Sequence, residues 1–170
     1  MGTGIQICGL NGCGKSTLGK ALAKALGYHF IDNEGLYFAG KEGTSTYSNP
    51  RTRDEVERLL LEEIQAHPNF VFAAVRGNYP AVRYDYVVVI QVPKEERLRR
   101  VRNRSFGQFG SRMLPGGDLY EQEEAFFRMV SQREDTLVEN WLRALQCTVI
   151  RVDGTKPVAE NVARIIELIK

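Results

Sequence analysis

Nine residues near the amino end constrain what this chain can fold into more than any others. Gly9-Leu10-Asn11-Gly12-Cys13-Gly14-Lys15-Ser16-Thr17 holds a glycine, four free positions, then Gly-Lys-Ser. Glycines so placed let the backbone adopt positive φ and approach an anion closely, so that successive N–H groups form a cradle for phosphate oxygens. Lys15 adds a flexible ammonium for the β- and γ-phosphates, and the Ser16 hydroxyl is of the kind that ligates Mg²⁺. An apolar run, Ile5-Gln6-Ile7-Cys8, precedes the loop. A helix-prone run from Ser16 to Leu26 follows, with Leu18, Leu22, Ala25 and Leu26 at helical spacing. Strand, loop and helix in that order point a helix dipole at the same anion. A chance glycine-rich turn lacks that context. The expected nucleoside triphosphate site therefore comprises Gly9, Asn11, Gly12, Cys13, Gly14, Lys15, Ser16 and Thr17, with Ser16 on the metal.

At 170 residues the chain suits one domain, 1–170, with a three-layer core. A formal net charge of +2 argues against a dedicated nucleic-acid surface. Cys8, Cys13 and Cys147 are too few and too scattered for a disulfide framework or a zinc site, which points to a reducing cytoplasm. Cys13, inside the loop, serves either as a small packing residue or as a reactive thiol. No apolar run approaches the roughly 18 residues of a membrane span. Neither a secretory leader nor an acylation signal at Gly2 is expected, the latter because position 6 is Gln.

Taken in order, helix one should end near Gly27 and a second strand should run over Tyr28-His29-Phe30-Ile31, closed by Asp32. A carboxylate at that strand end lies where ligands bind in open α/β sheets. Asp32 has three possible roles: holding Mg²⁺ through water, taking a proton from an acceptor hydroxyl, or capping the next helix. Residues 35–50, with Tyr37, Lys41 and Tyr47, read as a loop over a site. A helix should start at Thr52, with Thr52 and Glu55 as a capping box; Arg51 and Arg53 at its entrance face either an acceptor anion or solvent. Phe70–Val75 and Tyr86–Val92 read as central buried strands, the first ending in Arg76-Gly77-Asn78-Tyr79-Pro80. Pro93 should open a helix in its first turn. That helix carries Arg97, Arg99, Arg100, Arg102 and Arg104, of which Arg97, Arg100 and Arg104 share a face. Residues 106–117 read as a glycine-rich flap containing Arg112, and Asp118 with Glu121 as the cap of a helix reaching about Gln146. A last strand over Cys147–Val152 leads through Asp153-Gly154-Thr155-Lys156-Pro157 into a helix burying Val158, Val162, Ile165, Ile166 and Ile169.

Five strands alternating with helices imply a parallel sheet covered on both faces. With those residues in view, the chain resembles the small P-loop kinases: nucleoside monophosphate kinases such as adenylate kinase, and shikimate and gluconate kinases. The resemblance covers the whole chain and rests on Gly9–Thr17, on the arginine-rich helix running into a glycine-rich flap, and on Asp153-Gly154-Thr155-x-Pro157, which is similar to the loop that clasps adenine in adenylate kinases. It implies a P-loop NTPase fold with strand order 2-3-1-4-5, ATP and Mg²⁺ as cofactors, and adenine-side contacts at Gly154, Thr155 and Pro157. It implies a lid at about 105–118 that brings Arg104, Arg112 and Arg128 to the phosphates. An acceptor pocket at about 33–68 is implied as well, with Tyr37 and Arg51 there and Arg133 facing it.

One segment departs from the adenylate kinases. Their third strand ends in Asp-Gly-Phe/Tyr-Pro-Arg, whereas this chain reads Arg76-Gly77-Asn78-Tyr79-Pro80-Ala81. A cation stands where the metal-side anion would be. Asp32 is then the carboxylate for the metal, as in shikimate kinases, and Arg76 meets an anionic group on the acceptor. The expected activity is transfer of the γ-phosphoryl group of ATP to a small anionic acceptor, a nucleotide, nucleoside or hydroxy acid, by Lys15, Asp32, Arg104, Arg112 and Arg128. The alternatives are a regulatory ATPase with slow hydrolysis and a nucleic-acid-associated kinase, the latter disfavoured by charge and by the absence of aromatic residues among the arginines. The expected assembly is a monomer or a homodimer, without a membrane partner.

Overall fold

The computed structural model describes residues 1–38 and 50–169. The tract that held Lys41 and Tyr47 lies outside the described residues. Five strands form one sheet: β1 Gly4–Cys8, β2 His29–Asp32, β3 Phe70–Ala73, β4 Tyr86–Gln91 and β5 Thr148–Asp153. Their order is β2-β3-β1-β4-β5, and every pairing is parallel. Parallel neighbours need long crossovers, and the helices supply them. They are α1 Lys15–Leu26, α2 Asn33–Tyr37, α3 Arg53–Ala66, α4 Lys94–Phe109, α5 Tyr120–Gln132, α6 Thr136–Leu142 and α7 Val158–Leu168.

The period-2 alternation of the strands divides the core. Ile5, Ile7, Val71, Val88 and Ile150 face Leu18 and Leu22 of α1 and Ile165 of α7. On the other face, Phe70 and Phe72 pack against Val56 and Leu60 of α3, and Val87 and Val89 against Val138 and Leu142 of α6. Each fully buried aliphatic side chain stabilises the fold by about 1.5–3 kcal/mol. A smaller cluster of Val101, Met113, Phe127 and Val130 stands apart, so α4 and α5 form a unit with its own apolar centre.

The capping box at Thr52 and Glu55 is present. Four other expectations change. Residues 106–109 are not flap but the last turn of α4, and residues 110–113 form a 3₁₀ turn, because Met113 is drawn into the cluster with Val101 and Phe127. Asp118 caps nothing, since both its oxygens accept from Arg112, and the N-cap of α5 is Leu119. The single helix expected to Gln146 is two, broken at Arg133, whose backbone is extended. In α7 Ile165 is buried, and Val162, Ile166 and the C-cap residue Ile169 pack against the same core, as expected, but Val158 is exposed and Asn161 is buried instead. Asn161 faces inward because its Nδ2 donates to the Asp153 carbonyl at 2.8 Å. No helix among the described residues is long and apolar enough to cross a membrane.

Candidate active site

The carboxyl ends of the strands open into a cavity of about 630 Å³. Its floor is the loop between β1 and α1. Gly12 and Gly14 have φ of 84° and 95°, and a Cβ on Gly12 would stand 2.3 Å from the Arg97 carbonyl oxygen. Only glycine fits that approach. Gly14 is the N-cap of α1, with no side-chain cap and no acidic residue in the first turn. Among the described residues the amides of that turn have no side-chain cap, the arrangement in which a helix start receives phosphate. Lys15 lies along the loop, with Nζ donating to the Leu10 carbonyl at 3.3 Å. The donor set thus fits the phosphates of a nucleotide.

Ser16 and Asp32 complete the metal side. The Ser16 hydroxyl donates to Asp32 Oδ2 at 2.6 Å, while Oδ1 accepts from the Glu34 amide at 3.1 Å. Asp32 is therefore the cap of α2, and its other oxygen is turned to the phosphate loop. Two oxygen ligands of this type suit a hard cation. Asn11, Cys13, Thr17, Gly154, Thr155 and Pro157 also line the cavity. Cys13 is buried, and Gly9, the first residue of the loop, lies outside the cavity lining. Thr155 is held by its amide and hydroxyl on Asp153 Oδ1.

The arginines separate into four groups. Arg100 and Arg104 line the cavity. Arg100 Nη2 donates to the Gly154 carbonyl at 3.1 Å and its Nε to Glu96, whereas Arg104 is exposed. Arg97 is 3% exposed, reaches the Asn11 carbonyl at 3.3 Å, and leaves Nε without a partner among the described residues. It supports the loop from beneath. Arg112 and Arg128 are exposed and outside the cavity lining, and Arg112 is tied to Asp118 by bonds of 3.0 and 2.8 Å.

Arg76 and Arg133 form the last group. Arg133 Nη1 donates to Asn11 Oδ1 at 2.8 Å. Burial and the neighbouring Arg76 charge together pull Arg133 below the ordinary arginine range. Neither arginine has a salt bridge among the described residues. Around them, Arg53 donates to the Asn78 carbonyl and lies 4.8 Å from the Tyr79 ring centre, and the Tyr79 hydroxyl donates to Asn33 at 3.0 Å. Tyr37 and Arg51 lie at the ends of the undescribed tract, joined by a 2.7 Å bond from the Arg51 amide to the Tyr37 carbonyl. The Arg51 guanidinium is taken up by the Leu36 carbonyl at 2.8 Å.

Arg97, Arg100, Asn33 and Asn161 belong to the site without having been expected there: Arg97 backs the loop and the other three line the cavity. The shared face of Arg97, Arg100 and Arg104 was the available signal for the first two. For Asn161 there was none, since an asparagine within an apolar helix pattern reads as exposed.

Residues 5–108 match the family model described as an AAA domain. The uncharacterized protein YqaC of Bacillus subtilis is 29% identical over 96% of this chain and 95% of its own length. A shikimate kinase of Synechococcus sp. (strain RCC307) is 31% identical over 69% of this chain and 63% of its own. A cytidylate kinase of Ignicoccus hospitalis is 32% identical over 83% and 77%. Among solved structures, a gluconokinase from Sinorhizobium meliloti superposes over 98% of this chain and 94% of its own with a TM-score of 0.53 at 19% identity.

Proposed function

The chain belongs to the AAA domain family of the small P-loop kinases, and from that membership we propose that it transfers the γ-phosphoryl group of ATP to a small anionic acceptor. The observation that carries the proposal is a pair of cations held against the phosphate loop by the bond from Arg133 to Asn11. An uncapped helix start with Lys15, Ser16 and Asp32 follows Asn11 in that loop, and neither Arg133 nor the neighbouring Arg76, both outside the cavity lining, has a carboxylate partner among the described residues. Like charges brought together in a partly dry place call for an anion between them.

When bound, ATP supplies the transferable phosphoryl group and Mg²⁺ neutralises charge on its oxygens. The amides of Gly12, Gly14 and Lys15 cradle the phosphates, while the Cys13 amide stays on the Leu10 carbonyl at 3.2 Å, and Lys15 Nζ exchanges that carbonyl for phosphate oxygen. Ser16 and Asp32 Oδ2 hold the metal, directly or through water. Thr17, Gly154, Thr155 and Pro157 border the nucleoside end. Arg104, with Arg112 on a lid at about 105–118 and Arg128 on α5 behind it, stabilises charge on the phosphoryl oxygens as the group moves. Arg is suited to this because its planar fork holds phosphate bidentately. For Arg112 this means trading Asp118 for phosphate. Closure also keeps water from the phosphoryl group.

On the acceptor side, Tyr37 and Arg51 border the acceptor from the segment at about 33–68, whose residues 39–49 lie outside the described residues. Arg76 and Arg133 grip the anionic group. The names of the shikimate and cytidylate kinase relatives point to different acceptors, so the acceptor is identified by experiment. ADP release is measured with magnesium and ATP across nucleoside monophosphates, nucleosides and sugar or cyclic hydroxy acids. Stimulation by one anionic class supports the proposal. Stimulation by none, or by uncharged compounds alone, contradicts it.

A further inference from the structure

Away from this cavity, at the amino end of the sheet, the two histidines of the chain meet. His29 opens edge strand β2, level with Phe70 and so with Gly4 at the start of β1. Glu63 and His67 lie one turn apart at the end of α3, where His67 is the C-cap residue. The imidazoles stack with ring centres 3.8 Å apart and planes 19° from parallel. His29 Nε2 lies 2.8 Å from Glu63 Oε2. One ligand-type atom from each of the three residues lies within 4.8 Å of the others.

Two imidazole nitrogens and a carboxylate oxygen are the donor set of zinc and its neighbours, whereas magnesium prefers oxygen alone. We propose that His29, Glu63 and His67 bind a divalent transition-metal ion, with zinc as the type, at a site separate from that of the nucleotide's magnesium. Bonds of about 2.0–2.1 Å in a tetrahedron put ligand atoms roughly 3.3 Å apart, so closure asks for movement on the order of 1.5 Å. His67 can supply it. Its side chain is exposed and its backbone, at φ −134° and ψ 82°, has already left the helix. Three protein ligands leave one position for water.

The ion would fasten β2 to the far end of α3. That helix spans about 21 Å, and its other end carries Arg53 over Tyr79. Asp32 lies at the other end of β2, about 10 Å along the strand. The site thus braces two elements that reach the cavity, without touching it.

The test uses the full chain without nucleotide and Zn²⁺ alone as probe. Calorimetric titration should show one equivalent bound, with a rise in melting temperature, and Co²⁺ in its place should give the absorption of a four-coordinate ion. His67→Ala and Glu63→Gln should each weaken binding at least about tenfold while melting like the wild type without metal. Excess Mg²⁺ should leave Zn²⁺ in place. Absence of binding in the wild type overturns the proposal. So does wild-type affinity in His67→Ala, which would place the ion elsewhere, for instance at Cys147. Displacement of Zn²⁺ by Mg²⁺ overturns the separateness of the site.

Discussion

The Ser16 hydroxyl donates to Asp32 Oδ2 across 2.6 Å, joining the first turn of α1 to the end of β2. Because Oδ1 is already engaged by the Glu34 amide, Asp32 holds the backbone with one oxygen and addresses the phosphate loop with the other.

That division predicts different outcomes for two substitutions. Asp32→Asn keeps an oxygen for the Glu34 amide, so stability should change little while turnover falls by about 10²-fold or more, as when one preorganised group is lost. Asp32→Ala should lose the same activity and also about 1 kcal/mol of stability with the cap. Denaturant unfolding and steady-state rates separate the two effects. If Asp32→Asn retains full turnover, the carboxylate is only a cap.

Gly12 and Gly14 share positive φ but not surroundings, since a Cβ would strike the Arg97 carbonyl at Gly12 and meet open space at Gly14. Gly14→Ala carries the left-handed strain alone, about 1–2 kcal/mol. Nucleotide affinity should then fall roughly tenfold in Gly14→Ala, and at least about 10²-fold in Gly12→Ala. Titration of a fluorescent ATP analogue gives both values; equal losses would contradict the close approach.

The helix break at Arg133 shows where legibility ended. Apolar spacing placed all five strands, α1 and the Thr52 capping box, because those features depend on neighbours within a few residues. Whether the helix after Asp118 breaks depends on Arg133 reaching Asn11, which lies 122 residues away in the chain. Asp118 was misplaced for the same reason. Its short-range signal as a cap was sound, but Arg112 claims both carboxylate oxygens. In the site, the phosphate loop was readable residue by residue. Which arginine supports the loop and which faces the cavity was not, since Arg97 and Arg100 differ only in the angle at which α4 meets the sheet.

Arg76 and Arg133 should separate by kinetics. Arg76→Met should raise the acceptor KM by about 10- to 100-fold, from 1.5–3 kcal/mol for a charged hydrogen bond, with nucleotide affinity unchanged. Arg133→Met should raise the acceptor KM similarly and weaken nucleotide binding too, because it also holds Asn11. An unchanged acceptor KM in both variants would remove them from the acceptor site.

Burial, with Cys13 nearby, pushes the Cys8 thiol from 9.0 up to about 12. The folded state thus keeps a proton that the unfolded chain gives up first. The contribution to stability is whole below about pH 9 and is lost as pH rises toward 12, amounting to roughly 4 kcal/mol at most. Urea unfolding between pH 8 and 10.5 should therefore show a shallower alkaline decline in Cys8→Ala than in the wild type, despite its lower starting stability. Parallel declines would contradict this account.

The most direct test of the central claim follows the label of γ-³²P-ATP with magnesium and the acceptor class found to stimulate ADP release. The account predicts label on the acceptor, with little free phosphate, and at least about a 10²-fold loss of transfer in Lys15→Ala. Label recovered wholly as inorganic phosphate, at the same rate with or without acceptor, would contradict it.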